Sequence, residues 1–307
     1  MSMLDRLAGN EALKADLHTA LRTDRLPHSV LLVGEQGCGA GFAARCLAAD
    51  YLYKNGGPHA EAVLRGEDTE CIVVRGEGAS GQIKVERIRA ARESIQHSAL
   101  ASDAAGRVLF IYGAQNLNPS SANAMLKIIE EPPEGVLFLL TATSAASVLP
   151  TIRSRCAAYT LAPVAPAPCA EALCAAVPTL GAQKAQELAF LYEGHIGTCL
   201  AAAADPAARS AAKLAEELCE DAQRQDVYRA AALLARQEKD REGVYALLWQ
   251  TTQRASAALR RPGFGGLTPE RAAKILAAVG TARAAVTANG NLRLALAVLA
   301  GDLCGAL

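Results

Sequence analysis

An apolar run that stops in a glycine-rich turn and restarts as an apolar helix leaves few folds open to a chain. Here the run is Leu31-Leu32-Val33 and the turn is Gly34-Glu35-Gln36-Gly37-Cys38-Gly39. Ala40-Gly41-Phe42-Ala43-Ala44-Arg45-Cys46-Leu47-Ala48 then reads as a helix. Strand, glycine loop and helix form the layout of a phosphate-binding loop, whose pattern is G-x-x-x-x-G-K-[ST]. Gly34 and Gly39 take the two glycine positions, with Gly37 between them. Ala40 and Gly41 follow, where the pattern has Lys and Ser or Thr. The lysine is the positive charge on the phosphates and the hydroxyl is a Mg²⁺ ligand. Both are missing, so the loop has the frame of the motif without its chemistry. Taken alone, such a loop is a weak signal and also fits a plain glycine-rich turn.

The surrounding pattern is stronger. Residues 4–21 carry apolar positions at helical spacing, broken into two pieces at Gly9-Asn10. A helix is expected to about residue 53, a short buried strand over 71–74, a turn over 76–81 and a helix from 83 to about Gln96. Residues 107–112 and 136–141 read as buried strands. Between them Asn118-Pro119 is a strong helix start, a cap residue followed by proline at the first helical position. Ala122, Met125, Leu126 and Ile129 then fall at i, i+3, i+4 and i+7, and Pro132-Pro133 stops the helix. Apolar strands alternating with helices predict an α/β fold, a parallel sheet with helices on both faces. Past Ala162 the character changes. Pro163, Pro166 and Pro168 read as a linker, and the remainder is helical and alanine-rich. Helices are expected over 183–192 and 198–204, in a set opening at Asp205-Pro206, and finally over 292–303. The expected domains are residues 1–162, 163–204 and 205–307.

Lys+Arg and Asp+Glu balance at 31 each, so a globally basic nucleic-acid surface is not indicated. No apolar run reaches membrane-spanning length and the N-terminal residues lack a signal-peptide core, which predicts a cytoplasmic protein. None of the nine cysteines forms a C-x-x-C pair, so no metal site is expected and the thiols read as free.

Four stretches carry a resemblance to a known family. They are Leu26-Pro27-His28-Ser29-Val30-Leu31-Leu32-Val33-Gly34; Ser121-Ala122-Asn123-Ala124-Met125-Leu126-Lys127-Ile128-Ile129-Glu130-Glu131-Pro132-Pro133; Phe138-Leu139-Leu140 with Leu149-Pro150-Thr151-Ile152-Arg153-Ser154-Arg155-Cys156; and Asn291-Leu292-Arg293-Leu294-Ala295-Leu296. With these the chain resembles the delta-prime and gamma/tau subunits of bacterial DNA polymerase III clamp loaders, an AAA+ family. The match is clear over about residues 1–165. The resemblance implies a RecA-like AAA+ domain over 1–162, a helical lid over 163–204 and a helical collar over 205–307. It implies assembly with gamma/tau and delta subunits, ATP held between subunits, and loading of a sliding clamp on primed DNA. Within Ser154-Arg155-Cys156, it implies that Arg155 is a trans-acting arginine finger.

Departures from the family pattern are equally informative. Beside Ala40 and Gly41, the chain has Tyr112-Gly113-Ala114-Gln115 where active members carry magnesium-site acids. It has Gly194-His195-Ile196-Gly197 where they carry a lid G-x-x-R. These losses fit a non-hydrolysing delta-prime-type subunit in which Gly34, Gly37 and Gly39 form a degenerate loop with no cofactor of its own. The alternative is a divergent ATPase of the gamma/tau type. It would need a replacement cation, and Arg45, the nearest, lies one helical turn too far along. Residues 51–70 hold no cysteine, against the four-cysteine zinc module of many family members. For Lys127, Glu130 and Glu131 two readings stand: an interface or capping role, or a solvated helix face with a Lys127–Glu131 pair. Arg153 is left open between the same interface and a structural position.

Overall fold

The computed structural model describes residues 2–78, 81–95 and 103–305. It divides the chain into two compact units, Met1–Ala172 with Gly194–Gly197, and Leu173–Glu193 with Thr198–Leu307.

The first unit runs α1 (Glu11–Arg22), β1 (Ser29–Val33), α2 (Ala40–Leu52), α3 (Pro58–Arg65), β2 (Cys71–Arg75), α4 (Val85–Ile95), β3 (Arg107–Tyr112), α5 (Pro119–Glu130), β4 (Val136–Ala142), α6 (Pro150–Arg153) and β5 (Ala157–Thr160). The strands pair in parallel in the order β2-β3-β4-β1-β5. Successive side chains on a strand face opposite ways, and here each set meets its own layer of helices. Val30, Leu32, Phe110 and Leu139 pack with Leu17, Leu47 and Val63 from α1–α3. Leu31, Val33, Ile111 and Leu140 pack with Ile88, Met125 and Ile129 from α4 and α5. Each large apolar side chain buried in this way contributes about 1.5–3 kcal/mol. Because the strands are parallel, their C-terminal ends share one edge of the sheet, where α/β folds build their sites.

Several expectations are corrected. The strand at 71–74 is not buried: among the described residues β2 is an edge of the sheet, next to β3, and Val73 is 42% exposed. Residues 3–6 form a single 3-10 turn rather than an α-helix. Its Met3 and Leu4 N–H groups donate to the Asp50 carboxylate at 2.7 and 2.9 Å. The helix expected from 83 starts at Val85; its expected end near Gln96, and positions 79 and 80 of the expected turn, lie outside the described residues. Pro166 and Pro168 are not linker but the first turn of α7 (Pro166–Ala176). A proline there forfeits no intrahelical bond, because first-turn N–H groups have no partner in the helix.

In the second unit come α8 (Ala182–Leu191), most of α9 (Ile196–Ala204), α10 (Pro206–Arg224), α11 (Val227–Ala235), α12 (Arg241–Arg260), α13 (Pro269–Thr287) and α14 (Leu292–Cys304). Side chains of Asp205, Asp226, Asp240, Thr268 and Asn291 accept from first-turn N–H groups, fixing where α10 to α14 begin. Leu218, Leu234, Leu247, Ile275, Leu299 and Leu303 lie in one continuous core. Tyr192 donates its buried hydroxyl to Gln250 Oε1 at 2.7 Å and stacks on Trp249, the single tryptophan, with centroids 5.7 Å apart. Among the described residues no helix is long and apolar enough to cross a membrane.

Candidate functional site

The glycine loop leaves β1 at the C-terminal edge of the sheet. Gly34 N–H donates to Ala142 O at 3.0 Å, so the loop begins as an extension of the β1–β4 pairing. Gly37 and Gly39 have φ of 92° and 94°, a region that side chains disfavour. Gly39 caps α2 with no side-chain bond, leaving first-turn N–H groups and the positive end of the helix dipole at the loop. The frame of a phosphate loop is therefore built.

The segment 194–197 is bonded to that frame. Gly197 N–H donates to Gly37 O at 2.8 Å, and a Cβ on Gly197 would sit 3.1 Å from that oxygen. His195 Nε2 pairs with Glu35 Oε2 at 3.1 Å. Val164 N–H donates to Gly194 O at 2.9 Å; Gly194 has φ of 75°, and a Cβ there would fall 1.7 Å from Val164 O. Gly197, which stands where the resemblance implies a lid arginine, thus presents a backbone N–H to the loop instead of a cation.

The metal side of the motif is altered as well. Tyr112, the last residue of β3, lies against α2: a Cβ on Gly41 would be 3.2 Å from its ring. The ring stacks on Phe110 at 5.6 Å, and the Arg75 guanidinium lies 4.5 Å above its centroid. Burial pushes the Tyr112 phenol up, opposed by the positive charges of Arg45 and Arg75. An aromatic ring with the Arg75 guanidinium on its face does not fit a divalent ion, nor do Ala40 and Gly41 supply its ligand or a phosphate cation. The residues present do not fit magnesium–ATP at this loop. Among the described residues no cluster of three His, Cys, Asp or Glu side chains is arranged for a metal. The stretch corresponding to the zinc module folds as α3, tied down by Tyr53 donating to Asp68 at 3.0 Å and stacking on His59 at 5.4 Å.

Arg155 lies at the other edge of the sheet. Gly34 follows the end of β1, whereas Arg155 precedes the start of β5, and the two strands are parallel. Four strand residues span about 13 Å, so Arg155 does not serve its own chain's loop. It sits on a turn after α6, where Ser154 Oγ donates to Thr151 O at 3.2 Å. The Arg155 Nη2 pairs with Glu130 Oε1 at 2.7 Å and its Nη1 donates to Thr151 O at 3.2 Å. Both partners of the ion pair are open to solvent, at 41% and 48% exposure. Arg153 turns elsewhere and donates to Ala145 O at 3.2 Å. Cys156 is half-buried, and burial pushes its thiol up to about 11. The structure therefore joins Gly34, Gly37 and Gly39 in one loop and Ser154, Arg155 and Cys156 in another. Nothing in the sequence links Glu130 with Arg155, or Tyr112 with Gly41.

A family model described as DNA polymerase III, delta subunit, matches residues 9–165, just over half of the chain. The chain belongs to this family. Among relatives, the DNA polymerase III subunit gamma/tau of Mycobacterium tuberculosis is 35% identical over 158 residues, covering 48% of this chain and 27% of that protein. The subunit delta' of Bacillus subtilis is 28% identical over 157 residues, covering 49% and 46%. The chain spans less than half the length of the curated relatives it matches. Of solved structures, a DNA polymerase III gamma subunit-related protein from Thermotoga maritima superposes with a TM-score of 0.57 at 16% identity, covering 94% of this chain and 98% of that one. A RuvB variant from the same organism gives 0.52 at 15% identity, covering all of this chain and 90% of its own. The parallel sheet with helices on both faces is the one expected from the alternating strands and helices, and the superpositions agree with the AAA+ fold that the resemblance implies.

Proposed function

We propose that this chain is a non-hydrolysing, delta-prime-type subunit of a bacterial clamp loader. It assembles with gamma/tau and delta subunits in the cytoplasm and gives Arg155 to the ATP site of a neighbour, helping to load a sliding clamp on primed DNA. Residues 163–204 act as its lid and 205–307 as its collar. The observation that carries the non-hydrolysing part is the pair Ala40 and Gly41, which supply neither the phosphate cation nor the metal ligand of the loop. Gly197 N–H is bonded to Gly37 O, and Tyr112 lies against Gly41. The gamma/tau-type ATPase alternative would require a phosphate cation and a metal ligand where these groups stand. Support for the donated arginine is its exposure at the opposite edge of the sheet, where a planar guanidinium can meet a neighbour's phosphate as charge develops.

Steady-state ATPase tests both parts. The isolated chain should show no turnover, and turnover that follows the purified chain would overturn the non-hydrolysing reading. In a loader reconstituted with gamma/tau, delta, clamp and primed DNA, Arg155→Ala should assemble normally and lower hydrolysis. The loss is bounded by the roughly 10³–10⁵-fold effect of a finger serving an only site, and is smaller where other interfaces keep theirs. Arg155→Lys should rescue poorly, because an ammonium lacks the planar fork. A fully active Arg155→Ala loader would refute the finger.

A further inference from the structure

We propose that Glu130 is a positioning residue that latches Arg155 in the free chain and makes its engagement depend on an anion at the neighbouring site. The inference rests on the finger reading of Arg155. Three observations carry it. The guanidinium donates to the Glu130 carboxylate at 2.7 Å, to Thr151 O at 3.2 Å and to Ser154 Oγ at 3.4 Å, while both members of the ion pair are open to solvent and free to exchange partners. Glu130 is the last residue of α5, where the negative end of the helix dipole adds to the carboxylate charge. Arg153, the nearest arginine in sequence, is occupied with Ala145 O and does not share Glu130.

A carboxylate and a phosphate are equivalent acceptors for the guanidinium fork. A neighbour without nucleotide offers nothing to replace Glu130, and Arg155 stays latched. A neighbour carrying a triphosphate offers a stronger acceptor, and the guanidinium transfers to it. Because the Glu130–Arg155 pair is exposed, the competition is worth only about twofold to fivefold in the equilibrium, small enough for the phosphate to win. Glu130 thus tunes when the finger engages and leaves the chemical step to Arg155.

The experiment uses the reconstituted loader with clamp and primed DNA, titrated with ATP, for the parent, Glu130→Gln, Arg155→Ala and the double variant. Glutamine keeps the size and an acceptor oxygen but removes the charge. Glu130→Gln should lower the half-saturating ATP concentration about twofold to fivefold with kcat unchanged, and the difference should shrink at high salt as the pair is screened. In the Arg155→Ala background the same substitution should change nothing. If Arg155→Ala lowers turnover while Glu130→Gln leaves the ATP dependence unaltered, the latch is wrong and the finger stands. If Arg155→Ala loses nothing, the finger fails and the latch fails with it. An equal shift from Glu130→Gln with and without Arg155 assigns Glu130 a role in the fold and overturns the latch.

Discussion

The glycine loop and the Arg155 turn lie at opposite edges of one sheet and are finished in opposite ways. At the loop backbone meets backbone between Gly197 and Gly37, and the Tyr112 ring lies against Gly41, the position where the motif has a hydroxyl. At the turn the chemistry faces out, a guanidinium held by a carboxylate that is itself half in solvent. The closed edge is made of tight contacts, a Cβ on Gly194 falling 1.7 Å from the Val164 carbonyl oxygen, whereas the open edge is made of contacts that exchange. One sheet can carry two surfaces finished so differently because they depend on different ends of its strands.

The closed edge gives the largest effect. Gly194→Ala adds a Cβ at positive φ, 1.7 Å from the Val164 carbonyl, and backbone cannot move aside as a flexible side chain can. Destabilisation of about 2–4 kcal/mol is expected from the strain and the displaced 194–197 segment. Urea unfolding followed by circular dichroism measures it, and a variant as stable as the parent would mean the segment does not close the loop.

An intermediate effect is expected at Gly41→Thr. The new side chain meets the Tyr112 ring, and overpacking of this kind costs about 1–3 kcal/mol. Tyr112→Ala in the same chain should remove most of that penalty, so the two substitutions should be non-additive in melting experiments. Additive effects would place the ring elsewhere.

The smallest effect belongs to the open edge. Although Cys156 adjoins the exposed Arg155, burial pushes its thiol up to about 11. At pH 8 about a thousandth is thiolate, the reactive form. Iodoacetamide labelling followed by mass spectrometry should be slow at pH 8 and rise about tenfold per pH unit toward 10. Rapid labelling at pH 8 would show that the turn opens down to its base.

Much of this contrast was legible in the residues and part was not. Strands β1, β3 and β4 announce themselves because central strands are apolar on both faces. β5 does not: Ala157-Ala158-Tyr159-Thr160 is short and only partly buried, and it is a strand because β1 offers it an edge. β2 misleads in the other direction, an apolar run that stands half in solvent at the sheet edge. α3 and α6 are too short for their periodicity to show, and α7 hides behind its prolines. At the site, the missing lysine, hydroxyl and acids are visible in one dimension. The Tyr112–Gly41 and Gly197–Gly37 contacts are not, because each needs a strand register or a chain return that distant residues decide. The Glu130–Arg155 pair forms across the whole β4 excursion for the same reason.

The stacking of Trp249 on Tyr192 makes the two units optically unequal. The chain's single indole is in the helical unit, held on a phenol ring whose hydroxyl is committed to Gln250. Indole emission therefore reports on the helical unit, and melting confined to the sheet unit leaves it unchanged. A tryptophan placed in the first unit would give each half of the chain its own signal.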